Sequence, residues 1–233
     1  MNNSQLFCFT HAGGTTTFFD EIEMDLSGIE VVKLEYSGHG DRHKEPFYAS
    51  FAELADDMFE KTKIQYNGGN YGLFGYSMGS ITLVEVLKRI VKSGMKLPSN
   101  IFLAAHEPNV KNELITYSEN EVDEWVKNRT IRFGAVPEKL INNNVFWRTY
   151  LPIYRADYKL IGNYDFQNLN ITSNVPATVF YSQTDTLFES MKKWERFFPC
   201  DFHQFSGNHF FIYQHHKEMA GIIMAKLENY YDL

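Results

Sequence analysis

Cysteine is scarce. The 233 residues hold two, Cys8 and Cys200, both in apolar stretches. Two cysteines so placed read as buried free thiols in a reducing compartment, not as a disulfide framework or a thiolate metal site. Basic residues are in deficit: Lys and Arg number 22 against 29 Asp and Glu, a net charge of −7. Nucleic acid and anionic membrane surfaces call for basic patches, so neither is an expected partner. No stretch approaches the ~20 apolar residues of a membrane span. The opening Met1-Asn2-Asn3-Ser4-Gln5 has no basic region and no long apolar run follows it. No secretory signal is therefore expected, and a cytoplasmic location is. Repeats, low-complexity tracts and linkers are missing too, so one domain over 1–233 is expected. No His, Cys or Asp cluster shows metal-ligand spacing, and no metal or bound cofactor is expected.

What is present organises itself around Tyr71-Gly72-Leu73-Phe74-Gly75-Tyr76-Ser77-Met78-Gly79-Ser80-Ile81-Thr82. Tyr71, Leu73, Phe74 and Tyr76 suit a buried strand. Leu83, Leu87 and Ile90, with Val84 and Val91, fall at helical spacing. At the join stands Gly75-x-Ser77-x-Gly79, the pattern of a nucleophile elbow. A strand turning sharply into a helix strains its middle residue and crowds the positions two before and two after it. Glycine at both relieves the crowding and pushes the serine hydroxyl out at the strand tip. The helix N-terminus behind offers free N–H groups to a developing oxyanion. The pattern is short enough to arise by chance in a Gly-rich turn. The strand before it and the helix after it are what give it weight.

Strands are expected at 5–10, 30–36, 71–76, 100–105, 177–183 and 201–205. Helices are expected at 18–24, 50–66, from the elbow to Ser93-Gly94, and across most of 209–231. Alternating strands and helices imply an α/β domain with a mostly parallel central sheet covered on both faces. The stretch 107–172 breaks the rhythm. It carries helix candidates at 119–128, 137–141 and 144–162, and reads as a helical lid inserted between two strands. Its aromatic run, Phe146, Trp147, Tyr150, Tyr154 and Tyr158, is expected to supply an apolar wall.

Serine needs a base, and the base needs an orienting acid. The expected chain order after this elbow is Ser, then Asp or Glu, then His. His106, His203, His209, His215 and His216 lie downstream of Ser77. His209 follows the turn Ser206-Gly207-Asn208 at a strand's carboxyl end, the right place for a base. Asp185 follows the 177–183 strand and is the best candidate acid, although an aspartate there also suits a plain helix cap. Asp165 and Asp201 are the competitors. The oxyanion donors are expected to be the backbone N–H groups of Met78 and of Ala12, in the His11-Ala12-Gly13-Gly14 loop.

Taken together, several stretches resemble the type II thioesterases, stand-alone editing hydrolases of nonribosomal peptide and polyketide synthesis within the α/β-hydrolase superfamily. Phe9-Thr10-His11-Ala12-Gly13-Gly14 resembles F-P-H-A-G-G, and Tyr36-Ser37-Gly38-His39-Gly40-Asp41-Arg42 resembles Y-P-G-R-G-x-R. Phe74-Gly75-Tyr76-Ser77-Met78-Gly79 resembles F-G-H-S-M-G, and Tyr154-Arg155-Ala156-Asp157-Tyr158 resembles L-R-A-D-F. Gly207-Asn208-His209-Phe210-Phe211 resembles G-G-H-F-F. The departures are Thr10, Ser37, His39, Tyr76 and Asn208. Of these, Tyr76 and His39 are expected to reshape the pocket mouth. The resemblance implies an α/β-hydrolase fold and a substrate acyl group on the phosphopantetheine thiol of an acyl or peptidyl carrier protein. Phosphopantetheine then arrives with the substrate, and the enzyme is expected to act as a monomer. Lys159 and Arg155 are candidate docking cations. A small-molecule esterase of the same fold, or a non-catalytic binding protein, are the alternatives.

Overall fold

The four central strands are buried on both sides, and this decides the layers. In the computed structural model, which describes residues 3–108, 119–166, 169–171 and 173–228, strand β1 is Ser4–Phe9. Its Leu6 and Cys8 face one side of the sheet; Phe7 and Phe9 face the other, and all are buried. Strands β2 (Ile29–Lys33), β3 (Tyr71–Tyr76), β4 (Asn100–Ala104), β5 (Ala177–Ser182) and β6 (Cys200–Phe205) complete one sheet. Its order is β2-β1-β3-β4-β5-β6. Every neighbouring pair is parallel, with Phe9 opposite Gly75, Tyr76 opposite Ala104 and Ser182 opposite Phe205. This is the helix-flanked parallel sheet the sequence implies.

Helices cover both faces. On one, α2 (Phe51–Gln65) and α3 (Met78–Ser93) pack against each other. Leu54, Met58, Ile81 and Val84 from these helices meet Phe7, Leu73, Leu103 and Val179 from the strands. On the other face, α1 (Asp20–Asp25) packs against α7 (Ile212–Glu228). Ile22, Met219 and Ile223 there meet Leu6, Phe74, Phe102 and Phe180. Burial on both sides explains why β3 and β5 contain no exposed residue.

Between β4 and β5 stand α4 (Glu119–Phe133) and α5 (Asn144–Gly162), packed together. A short turn of helix, Phe188–Met191 (α6), follows β5. The helix expected at 144–162 is present with those bounds, and that at 119–128 runs on to Phe133. Parts of the expected lid, residues 109–118, 167, 168 and 172, lie outside the described residues, as does the end of the last expected helix, 229–231. That helix begins at Ile212, not at His209, and is interrupted at His215. Cys8 is buried, Cys200 half-buried, and both are free thiols.

Parallel strands put all their carboxyl ends at one edge. The loops after β1, β3, β4, β5 and β6 therefore converge. Order reverses between β1 and β3, and the cavity at that edge is bordered by residues that follow β3, β4, β5 and β6.

Candidate active site

Ser77 joins β3 to α3 with φ 55° and ψ −116°. An L residue held at positive φ costs about 1–3 kcal/mol, and the surroundings must impose it. They do so by close packing. A Cβ on Gly75 would stand 2.2 Å from the Gly79 carbonyl oxygen, and one on Gly79 would stand 1.9 Å from that of Phe9. No side chain fits at either position. The Ser77 N–H donates to the Ala104 carbonyl at 2.8 Å, and Ser80 Oγ donates to the Gly75 carbonyl at 2.9 Å. Ala105, at the end of the neighbouring strand, also has positive φ, at 54°.

His209 lies in the loop between β6 and α7. Its Nε2 is 2.9 Å from Ser77 Oγ. Its Nδ1 is 2.9 Å from each carboxylate oxygen of Asp185, which follows β5. The His209 and Asp185 side chains are 8% and 6% exposed. Nδ1 faces an acceptor and so carries the proton; Nε2 then presents its lone pair to the serine hydroxyl. The ring and the backbone that carries it are both held. Phe133, the last residue of α4, stacks on it with centroids 4.4 Å apart. Tyr76 donates its hydroxyl proton to the His209 carbonyl at 2.7 Å. The preceding Gly207 carbonyl accepts from Ser182 Oγ at 2.5 Å and from Thr184 Oγ1.

Met78 opens α3, and Ala12 sits in the loop after β1. Neither backbone N–H finds an acceptor among the described residues. The next N–H, that of Gly13, is already taken by Asp157 Oδ2 at 2.7 Å. Two further histidines stand close by. Burial pushes His106 down to about 3, with His209 and Arg129 adding to it. Burial also pushes His11 down to about 4, against the pull of the Ala12 carbonyl and with His209 and His39 adding. Both stay neutral at pH 7. Of the three imidazoles, that of His209 is the one in hydrogen-bond contact with Ser77 Oγ. Ser77 and His209 border a cavity of about 510 Å³. Trp125, Arg129 and Phe133 of α4 and Tyr158 and Ile161 of α5 wall it. Among the described residues no group of three or more His, Cys, Asp or Glu side chains is placed to hold a metal ion.

A model of the thioesterase domain matches residues 4–227. The chain belongs to the thioesterase family. It is a thioester hydrolase. Thioesterase PikA5 of Streptomyces venezuelae is 23% identical over 228 residues, covering 96% of this chain and 80% of that one. Gramicidin S biosynthesis protein GrsT of Aneurinibacillus migulanus is 23% identical, covering 96% of this chain and 88% of that one. The crystal structure of ClbQ, from the colibactin NRPS/PKS pathway, superposes with a TM-score of 0.88 at 25% identity, covering 98% of each chain. The likeness carried by the motifs thus extends over nearly the whole thioesterase.

Several expectations need correction in the thioesterase. Tyr76 and His39 do not shape the pocket mouth: they are 0% and 1% exposed, and neither lines the cavity. Tyr76 acts from beneath, on the His209 backbone. Of the aromatic run in α5, only Tyr158 reaches the cavity. Phe146 stacks on Tyr150, and Trp147 Nε1 donates to the Ile141 carbonyl. Trp125 and Phe133 supply the wall instead, the first from within the expected 119–128 helix and the second from its extension to Phe133. Arg155 is ion-paired with Asp123 of α4. Asp201 bonds Lys226 at 2.7 Å and His203 at 3.1 Å at the start of β6, and Asp165 is exposed; neither meets His209. Sequence reasoning missed the partner of Gly13. Asp157 stood inside a quoted motif, yet nothing local marks it as reaching 144 residues back along the chain.

Proposed function

We propose that this thioesterase is of type II and frees carrier proteins by hydrolysing acyl or aminoacyl groups from their phosphopantetheine arms. One observation carries the mechanism: Ser77 Oγ, the His209 imidazole and the Asp185 carboxylate form an unbroken hydrogen-bonded series at 2.9 Å per step. Ser77 Oγ attacks the thioester carbonyl as its proton passes to His209 Nε2. The carbonyl oxygen becomes an oxyanion between the N–H groups of Ala12 and Met78. Collapse breaks the C–S bond, and His209 gives the proton to the departing sulfur. Water then loses a proton to His209 and attacks the acyl-serine, releasing the acid and restoring Ser77. Asp185 holds the Nδ1–H tautomer and faces the imidazolium formed at each stage.

The carrier as substrate is supported by two relatives. ClbQ comes from an NRPS/PKS pathway, and GrsT is a gramicidin S biosynthesis protein. The chain carries a net charge of −7, so long-range attraction of an acidic carrier is weak or repulsive, and docking rests on local contacts. The test compares one acyl group on a carrier protein, on free pantetheine and on a simple thiol, over a salt series. A higher kcat/KM on the carrier is expected, with little salt dependence. Equal rates on carrier and free pantetheine at every salt concentration would reject carrier recognition.

A further inference from the structure

α5 reaches the loop after β1 at two points. The Tyr154 ring occupies the space beside Gly13, where a Cβ would lie 2.1 Å from its Cε1. One turn further on, Asp157 Oδ2 accepts the Gly13 N–H at 2.7 Å. The same oxygen lies 2.9 Å from His39 Nε2. The His39 and Asp157 side chains are 1% and 4% exposed. The other ring nitrogen, His39 Nδ1, stands 3.0 Å from the Ser37 carbonyl oxygen. A carboxylate and a carbonyl only accept hydrogen bonds. Both ring nitrogens must therefore carry protons. Either neutral tautomer would aim a lone pair at an oxygen in a buried place, which is costly. Against an ionised Asp157, the arrangement fits the imidazolium.

We propose that Asp157 and His39 are positioning residues for thioester hydrolysis. Their buried imidazolium–carboxylate pair clamps Gly13, and so sets the adjacent Ala12 N–H toward the oxyanion, only while His39 holds its second proton. The proposal rests on the reading of Ala12 as an oxyanion donor. Three segments meet at this pair: the loop after β1, the loop after β2 and the lid helix α5. A buried ion pair is a poor source of net stability, because desolvation offsets attraction. Its use here is to fix where the segments sit.

The surrounding groups favour the charged ring. From α5, Tyr154 and Tyr158 face the pair as neutral phenols, and burial pushes both upward. From the segment after β2 come Glu35, an anion, and Tyr36, whose ring centroid is 5.7 Å from that of His39. From the loop after β1 comes His11, held neutral. Burial works against the His39 proton. The Asp157 charge and hydrogen bond, the Ser37 carbonyl and Glu35 outweigh it, and the net direction is upward. The clamp is thus released as pH rises through the His39 titration, which lies above the usual imidazole range. Because an oxyanion exists only in the transition state, the release lowers kcat and leaves KM little changed.

The experiment follows acetyl-pantetheine hydrolysis from pH 6 to 10 in the intact chain and in His39→Arg, His39→Gln and Asp157→Asn. The wild type is expected to lose kcat on the alkaline side by about tenfold or more, the scale of a small misplacement. His39→Arg keeps a fixed cation and should lack that alkaline fall. His39→Gln and Asp157→Asn should have kcat lowered by about 10- to 100-fold at every pH, with KM nearly unchanged. Nitrogen-15 spectra of the His39 ring, assigned through its backbone, give a readout independent of turnover. Two protonated ring nitrogens at pH 7 are expected, in the wild type and in Ser77→Ala alike. A neutral His39 at pH 7 would overturn the proposal, whatever the variants do. So would alkaline profiles that superimpose for wild type and an active His39→Arg. Failure of the Ser77 mechanism itself would show as near-wild-type turnover in Ser77→Ala with the His39 ring still doubly protonated.

Discussion

Tyr76→Phe isolates one hydroxyl. Tyr76 is 0% exposed, and its ring packs on Phe18 and Phe211 with centroids 4.9 and 5.5 Å away. Phenylalanine keeps those contacts and leaves no cavity. What disappears is the donor to the His209 carbonyl, 2.7 Å away. Leaving a buried acceptor without its partner costs about 1–3 kcal/mol. Taking about 2 kcal/mol, a chain of this size should melt ~4–8 °C lower. The kinetic consequence is separate. The lost bond tethers the backbone of the residue whose imidazole meets Ser77. A shift of about 1 Å there lowers turnover by up to about 100-fold. KM should hold, because Tyr76 does not line the cavity. Tyr71→Phe is the control. Tyr71 is also buried in β3, and its hydroxyl donates to the Lys96 carbonyl at the opposite end of the sheet. Melting curves and steady-state hydrolysis of acetyl-pantetheine are measured for both variants. Both should melt earlier, and only Tyr76→Phe should lose kcat. If Tyr76→Phe loses stability with full kcat, or if the two variants lose kcat equally, the tether does not position His209.

Asp185→Asn should lower kcat by up to ~10⁴, because an amide can donate to Nδ1 and so favour the wrong imidazole tautomer; Asp201→Asn, measured in the same assay, should leave kcat unchanged. Acid should destabilise the fold through its half-buried neutral histidines. His11 titrates near 4 in the fold, below the histidine reference of 6.5. Between those values the unfolded chain binds the extra proton, so stability is full above the reference and falls as pH drops toward the folded value. The loss from His11 alone amounts to up to about 3 kcal/mol. Thermal melts from pH 7 to pH 4 should fall less steeply in His11→Gln than in the wild type; equal slopes would refute the assignment.

The elements whose chemistry is local were legible. Gly75 and Gly79 mark the elbow because the clash each avoids lies within a few residues or on the next strand. Ser77, Asp185 and His209 could be placed because each follows a strand, and parallel strands bring such ends together. The 144–162 helix was readable from its spacing. What escaped was decided by distance along the chain. Nothing around Tyr76 says that its hydroxyl meets the His209 backbone 133 residues on. Asp157 and His39, 118 residues apart, look like a lid residue and a loop residue until the fold joins them. The aromatic wall was misplaced for a related reason. α5 is richer in aromatic residues, but its Phe146 and Tyr150 stack on each other, while the charged α4 lends Trp125 and Phe133 to the cavity.

The central claim is that Ser77 is the nucleophile. Hydrolysis of an acyl-carrier thioester by Ser77→Ala, with its melting temperature and circular dichroism checked against the wild type, tests this most directly. The account predicts a folded protein whose kcat is lower by up to ~10⁶. A folded Ser77→Ala that turns over at near the wild-type rate would contradict it.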